Sequence, residues 1–343
     1  MLDTDIMDGK KPNYQRIAEE TGISIATISR VFTGASNVKA DTRRRVIDTL
    51  KNYGYDTSSI EERGRIRENR LIILNVPSTG NPFYNQIIHG AKAAATQRGC
   101  HLLLNEDHIN DSTIDNLLRL LRKTQVAGLI TTNHMAPVYL KRISETVPLV
   151  QCCEYDDGFD LPYVSIDDVA ATKTAMEYLF SLGRKNIAFI NGPIRYKYAK
   201  QRLQGYLEAL DDAGIPSDPQ MILQLSEINY DLAVSAATNL FDSGKRPNAF
   251  FCASDVLAAA AIKVGIRKGV SVPNDLAVIG FDNVDISVMM NPTITTISQP
   301  QFQLGFSSCE LLIEHITNPQ RHMHNIVFAT ELLVRESTTM KQG

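Results

Sequence analysis

A chain of 343 residues with 43% hydrophobic and 21% charged residues is too long for one small module and has the composition of two or three folded domains with a sizeable core. No apolar run approaches the roughly 18 residues of a membrane span, and the acidic, polar start from Met1 to Lys11 lacks the basic and apolar regions of a secretory signal, so the expected location is the cytoplasm. The net charge of −3 argues against a nucleic-acid binder until its distribution is read. Residues 10–67 hold 12 Lys or Arg against 7 Asp or Glu, a surplus of +5 that leaves −8 on the remainder, the pattern of a basic arm on an acidic body.

The first stretch carries three short helical patterns. Tyr14–Thr21 follows Asn13 as a cap, Ile25–Phe32 follows Ser24 as a cap, and Asp41–Tyr53 ends at Gly54. Ile17, Ala18, Ile23, Ile28, Val31, Val46 and Leu50 fall where they can share one small core. Two helices joined across Thr21-Gly22-Ile23-Ser24 are the pattern of a helix-turn-helix. Its second helix turns Ile28 and Val31 inward and leaves Ile25, Ala26, Ser29 and Arg30 outward. The N-terminal residues of such a helix meet base edges in the major groove. Arg30 can grip a guanine with two donors or bind phosphate, and Ser24, Thr27 and Ser29 suit phosphate oxygens. The alternative is a solvated face on an ordinary helical domain; the glycine turn, the caps and the local charge favour DNA.

Residues 57–70 are polar and charge-dense, with little to bury, and read as a linker. Strand and helix patterns then alternate: Leu71–Val76, a helix over 82–98 closed by Gly99, Cys100–Leu104, helix Ile114–Lys123, Ala127–Thr131, and Leu149–Cys153. The plan repeats with Asn186–Ile190, helix Ala199–Ala213 ending at Gly214, helix Ala233–Phe241, Ala249–Cys252, helix Val256–Lys268 ending at Gly269, and Leu276–Gly280. Such alternation means parallel sheets with helices on both faces. Two runs give two doubly wound lobes, and the ligand crevice of such sheets lies beyond the carboxyl ends of the strands. The expected division is a headpiece over 12–57, a linker over 58–70, and a sensor over 71–343. Lobe 1 would take about 71–166 and 299–328, and lobe 2 about 167–297 and 329–343.

The headpiece motif Ile17-Ala18-x-x-x-Gly22-Ile23-Ser24-x-x-Thr27-Ile28-Ser29-Arg30-Val31-Phe32, continued by Val38-x-x-x-Thr42-Arg43-x-x-Val46 and Gly54-Tyr55, resembles the LacI/GalR family of repressors. The likeness runs on through Asn81-Pro82-Phe83-Tyr84, Gly192-Pro193, Arg202-Leu203-x-Gly205-Tyr206, Ser254-Asp255, Ile279-Gly280-Phe281-Asp282-Asn283, Pro292-x-x-Thr295-Thr296-Ile297 and Gly305. It implies a helical headpiece on a periplasmic-binding-protein-like sensor, a homodimer, a palindromic double-stranded operator and a small effector between the lobes. The linker departs from the family. Where the family has an alanine and a leucine on a hinge helix, with the leucine wedged into the minor groove, this chain has Glu61 and Gly64. The reading here is therefore a flexible tether, with Arg63, Arg65 and Arg67 free to meet phosphate. Lys39 replaces the usual serine cap of the third helix.

Phe83 and Tyr84, just past the first strand, can stack on a base or a sugar face, and Phe251, ending a strand of the second lobe, is expected to cover the other side. The resemblance makes Arg202 and Asp282 the pair that meets ligand hydroxyls, which satisfy a charged donor and a charged acceptor together. Glu154, just after a strand, suits an exocyclic amine such as that of cytosine, and Ser254 offers a small polar contact. Asp255 reads as a helix cap. The expected effector is a nucleoside such as cytidine, with a sugar as the alternative. No cofactor, metal or membrane partner is expected. The five cysteines have no zinc or redox spacing and read as buried thiols. An enzyme is disfavoured, because no phosphate-cradling loop, nucleophile elbow or metal-spaced histidine cluster occurs. A transport receptor would not need the headpiece.

Overall fold

The computed structural model describes residues 14–33, 38–57, 60, 71–321 and 323–339. The Asn13 cap, the linker apart from residues 57 and 60, and the roles drawn for Glu61, Arg63, Gly64, Arg65 and Arg67 lie outside the described residues.

The headpiece has three helices: α1 (Tyr14–Thr21), α2 (Ile25–Phe32) and α3 (Ala40–Asn52). Ile17, Ile28, Val31, Val46 and Leu50 are fully buried in one cluster, with Ile23 and Ile60 beside them and Ala18 packed against it. Gly22 has φ +67°, which a side chain would oppose, and this lets the chain reverse between α1 and α2 in three residues. Ser24 caps α2, its Oγ accepting from the Thr27 amide at 3.3 Å. Lys39 stands at the start of α3 without a side-chain cap. The Arg45 guanidinium donates to the Thr21 carbonyl at 2.6 Å, tying α3 to the turn.

The sensor runs β1 (Leu71–Asn75), α4 (Phe83–Gln97), β2 (His101–Asn105), α5 (Ile114–Lys123), β3 (Gly128–Thr131), α6 (Pro137–Ser144), β4 (Leu149–Cys152), β5 (Tyr163–Ile166), α7 (Asp168–Ser181), β6 (Ile187–Asn191), α8 (Lys197–Asp212), β7 (Ile222–Gln224), α9 (Tyr230–Asp242), β8 (Ala249–Cys252), α10 (Asp255–Arg267), β9 (Ala277–Asp282), α11 (Ile286–Met289), β10 (Thr295–Ser298), α12 (Gln301–Thr317), β11 (Ile326–Phe328) and β12 (Glu331–Leu333). One sheet has the order β11-β5-β4-β3-β1-β2, the other β12-β10-β9-β8-β6-β7. Every pairing is parallel except β10 with β12. Strands β3, β4, β6 and β8 are buried at every position, as expected where helices cover both faces of a parallel sheet.

The chain passes between the lobes three times: from β5 into α7, from β10 into α12, and from β11 into β12. Helix α12 returns to lobe 1 and lies against α4. Their crossing is close because Gly90 and Gly305 face the partner backbone: a Cβ on Gly90 would land on the Phe302 carbonyl, and one on Gly305 on the Ile87 carbonyl. Among the described residues no helix is long and apolar enough to cross a membrane.

Candidate functional site

On α2, Ser24, Ile25, Ala26 and Arg30 are exposed, Thr27 and Ser29 half-exposed, and Ile28 and Val31 face the core. Ile25 is an apolar side chain 48% exposed at the helix start. The hydroxyls of Ser24 and Thr27 bond each other at 2.9 Å, and Ser24 is also the cap of α2.

The second site is a cavity of about 470 Å³ between the lobes. It lies where the strand order reverses in each sheet, a position that creates a crevice beyond the carboxyl ends. Lobe 1 supplies Pro77, Ser78 and Gly80–Tyr84 after β1 and Cys153 and Glu154 after β4. Lobe 2 supplies Pro193, Arg195, Tyr196 and Tyr198 after β6, Ala253 and Ser254 after β8, and Asp282 at the end of β9.

Arg202 projects from α8 into this cavity. Its Nε donates to Asp168 Oδ1 at 2.7 Å and its Nη1 to the Ala253 carbonyl at 2.6 Å; Asp282 Oδ1 stands 3.8 Å away. The guanidinium lies 3.5 Å from the centre of the Phe281 ring and 4.8 Å from that of Tyr198, so rings fix its plane while carboxylates fix its charge. Burial alone would lower the Arg202 pKa, but Asp168 and Asp282 outweigh it and keep the side chain cationic. Burial pushes Asp282 up to about 6 against the opposing pull of Arg202 and of the hydrogen bond from Gln299 Nε2 at 2.7 Å. Burial likewise raises Asp168, Arg202 holding it down. Asp282 has φ +101° and Asn283 +59°, costing on the order of 1–3 kcal/mol each. This backbone conformation ends β9 with the carboxylate turned into the cleft.

The aromatic wall is built from both lobes. Phe83 meets Tyr84 edge-on, ring centres 5.2 Å apart, and Tyr196 stacks on Tyr198 at 5.7 Å. Burial pushes the Tyr198 phenol well above its usual range, and Tyr84 likewise. Ser254 lines the cavity, while its Oγ also accepts from the Leu257 amide at 3.3 Å as the cap of α10.

Of the residues expected at the cleft, Phe83, Tyr84, Glu154, Arg202, Ser254 and Asp282 line the cavity and Phe251 does not. Phe251 is fully buried in lobe 2, stacked on Phe189 at 5.1 Å and edge-on to Phe281 at 6.5 Å. It lies on a central strand covered on both faces, so its aromatic ring packs inside the lobe. Tyr196, Tyr198 and Asp168 line the cavity without having been expected there. Tyr196 and Tyr198 follow a strand just as Phe83 and Tyr84 do, and that parallel was the available signal. Asp168 carried a weaker one, an acidic pair opening a helix.

Glu154 accepts at both oxygens from backbone amides of α8, Oε2 from Lys197 at 2.8 Å and Oε1 from Tyr198 at 3.1 Å. It is thus engaged as a cap rather than left open for an amine. Burial raises its pKa to about 7 against the opposing pull of those two amides. Cys100, Cys152, Cys252 and Cys309 are buried free thiols, but Cys153 is half-buried and lines the cavity.

Fold and cleft together define a two-lobed receptor for a small molecule carried behind a helix-turn-helix. Residues 15–58 match the family model of bacterial regulatory proteins, lacI family, and residues 176–338 match a periplasmic binding protein-like domain. The chain is 31% identical over 324 residues to the HTH-type transcriptional repressor CytR of Escherichia coli (strain K12), spanning 94% of this chain and 95% of that protein. The transcriptional regulator CelR–cellobiose complex superposes with a TM-score of 0.72 at 28% identity, over 95% of this chain and 100% of that one. The lac repressor dimer bound to operator shares the fold, with a TM-score of 0.74 at 23% identity, over 96% and 100%. The chain belongs to the lacI family of bacterial regulatory proteins: it is a DNA-binding transcription repressor with an effector-binding domain.

Proposed function

We propose that this repressor is a homodimer whose grip on a palindromic operator is controlled by a nucleoside, of which cytidine is the type, bound between the lobes. The observation that carries the effector reading is the cavity itself. Four aromatic rings, Phe83, Tyr84, Tyr196 and Tyr198, form a wall that suits a flat base, while Arg202, Asp168 and Asp282 form a charged floor that suits ribose hydroxyls. Ser254 adds a small polar contact, and Glu154 lines the cavity while its carboxylate accepts from the amides that open α8. The likeness to CelR, whose structure holds cellobiose, supports a second reading, a sugar on the same rings and floor. No chemistry on the ligand is required: the cleft binds, and the chain acts on DNA, in the cytoplasm.

On the operator, Ile25, Ala26 and Arg30 read base edges, and Ser24, Thr27 and Ser29 grip phosphate, two headpieces entering major grooves about one helical turn apart. Dimerisation has apolar surface to use in both lobes: Leu103 and Leu104 on the edge strand β2, and Val288 and Met289 on α11, are 47–76% exposed. The effector alters operator affinity only through a difference in affinity for two arrangements of the lobes.

A thermal-shift panel of cytidine, other nucleosides, purine bases and common sugars tests the effector. A ligand at 100 times its Kd stabilises the fold by about 2.7 kcal/mol, so a rise of several degrees with cytidine alone is expected. A rise with sugars and none with nucleosides would replace the nucleoside with a sugar.

A further inference from the structure

Helix α8 begins at Lys197 behind Tyr196, whose side chain makes no capping bond. A long helix that opens beside a cleft offers free amides and a positive end, which favour phosphate and other anions. Here an anion of the protein's own already holds that place. Glu154 reaches across from lobe 1, its Oε2 accepting from the Lys197 amide at 2.8 Å and its Oε1 from the Tyr198 amide at 3.1 Å, and the residue is only 3% exposed. With both oxygens accepting from N–H donors, the geometry is that of an ionised carboxylate.

The cations nearby are engaged in the same way. The Lys197 ammonium pairs with Asp157, again from lobe 1, and lies 3.9 Å from the centre of the Tyr155 ring. On the floor, the Arg202 guanidinium lies between Asp168 and Asp282 and donates to the Ala253 carbonyl. Arg195 also lines the cavity, but it is exposed, its guanidinium over the Tyr196 ring. Among the described residues the lining holds four carboxylates, Glu154, Asp168, Glu227 and Asp282, against the two guanidinium groups of Arg195 and Arg202.

We infer that Glu154 sets the charge of the effector: by holding the amides that open α8 as an internal anion, it closes the cleft to phosphorylated ligands and leaves it selective for uncharged ones, nucleosides rather than nucleotides and sugars rather than sugar phosphates. The inference rests on the reading that the cleft binds an effector. A phosphate entering between the lobes either displaces Glu154 or stands beside it. Displacement strips a buried carboxylate of both its donors. Standing beside it sets two anions together, and at about 6 Å and an effective dielectric of about 20 that repulsion is worth about 100-fold in affinity. A hydroxyl in the same place meets no such penalty, because it donates to a carboxylate and accepts from a guanidinium.

Calorimetric titration of the full-length protein with cytidine and with cytidine 5′-monophosphate tests the filter at pH 8, where the phosphate is a dianion and Glu154 is above its pKa of about 7. The wild type should bind the monophosphate about 100-fold more weakly than cytidine. In Glu154→Gln and Glu154→Ala the gap should narrow by about tenfold or more; because it is a ratio within one protein, a general loss of stability or affinity leaves it unmoved. A monophosphate bound by the wild type within about tenfold of cytidine, or a gap unchanged in both variants, overturns the inference while the cleft remains an effector site. If neither ligand binds, the nucleoside reading fails by itself, and inorganic phosphate decides the filter. Titrated into the ligand-free protein at constant ionic strength, it should leave the Lys197 and Tyr198 amide resonances of the wild type in place and shift them saturably in Glu154→Ala. Saturable shifts in the wild type, or none in the variant, overturn it.

Discussion

Replacing Arg202 with leucine removes the one cation set between two buried carboxylates. Asp168 loses a 2.7 Å charge-assisted bond, Asp282 loses its neighbour at 3.8 Å, and the Ala253 carbonyl loses its donor. Arg202 and both aspartates are less than 10% exposed, so solvent screens the charges left behind only weakly. Breaking one side of a buried ion pair costs about 3–5 kcal/mol, and at roughly 2–4 °C per kcal/mol for a domain of this size the melting temperature should fall by roughly 10 °C at pH 8. The penalty should shrink on acidification. Asp282 already has its pKa raised to about 6 and Asp168 is raised too; removing Arg202 raises both further. A carboxyl whose folded pKa lies above its unfolded value favours the fold as it is protonated, so the deficit at pH 5.5 should be a fraction of that at pH 8. Asp168→Asn added to Arg202→Leu should recover part of the loss at pH 8 by removing one uncompensated charge. Scanning calorimetry of the three proteins across pH reads this directly. A drop below 2 °C, or a deficit equal at both pH values, would refute the view of Arg202 as the counterion on which the cleft floor depends.

Arg30→Ala should lose roughly 1–3 kcal/mol of discrimination between operator and random duplex, measured by fluorescence anisotropy on both DNAs; equal weakening on the two would make Arg30 a phosphate contact. Phe251→Leu should lower the melting temperature, because Phe189 loses a stacked ring and Phe281 an edge-on one, while the order of preference among thermal-shift ligands stays as in the wild type; a reordered preference would return Phe251 to the cleft wall.

The headpiece was legible because its residues leave few choices. A glycine turn between two capped apolar patterns, with Ile17, Ile28, Val31 and Leu50 in register, has one compact solution, and that solution is found. The long helices and most inner strands of the sensor were legible for the same reason. Helix α7 was not: Ala171, Thr172, Ala175, Met176 and Leu179 are buried on a broad face, so its polar and apolar residues do not separate into a clear stripe. Strands β11 and β12 are three residues long with mixed exposure, too short for a period to register, and their pairing depends on partners more than a hundred residues away in one case and some thirty-five in the other. In the cleft, Arg202 and Asp282 followed from motif positions. The misplacement of Phe251 and the omission of Tyr198 share one cause. In a strand buried on both faces, composition does not reveal which aromatic stands at the open end, and in the first turn of a helix, ahead of its apolar pattern, no period reveals which side chain points inward. Glu154 was recognised as a carboxylate near the cleft, but its engagement by the backbone of the other lobe is a tertiary contact with no local signature.

The central claim, that a ligand in the cleft governs the grip on DNA, is tested most directly by titrating cytidine into the repressor bound to a palindromic operator selected from random duplexes, with anisotropy as the readout. The account predicts that operator Kd moves by about 5- to 150-fold at saturating cytidine, the range of ordinary allosteric coupling, and that Arg202→Leu abolishes the response. An operator Kd unchanged by cytidine, under conditions where the same cytidine raises the melting temperature, would contradict it.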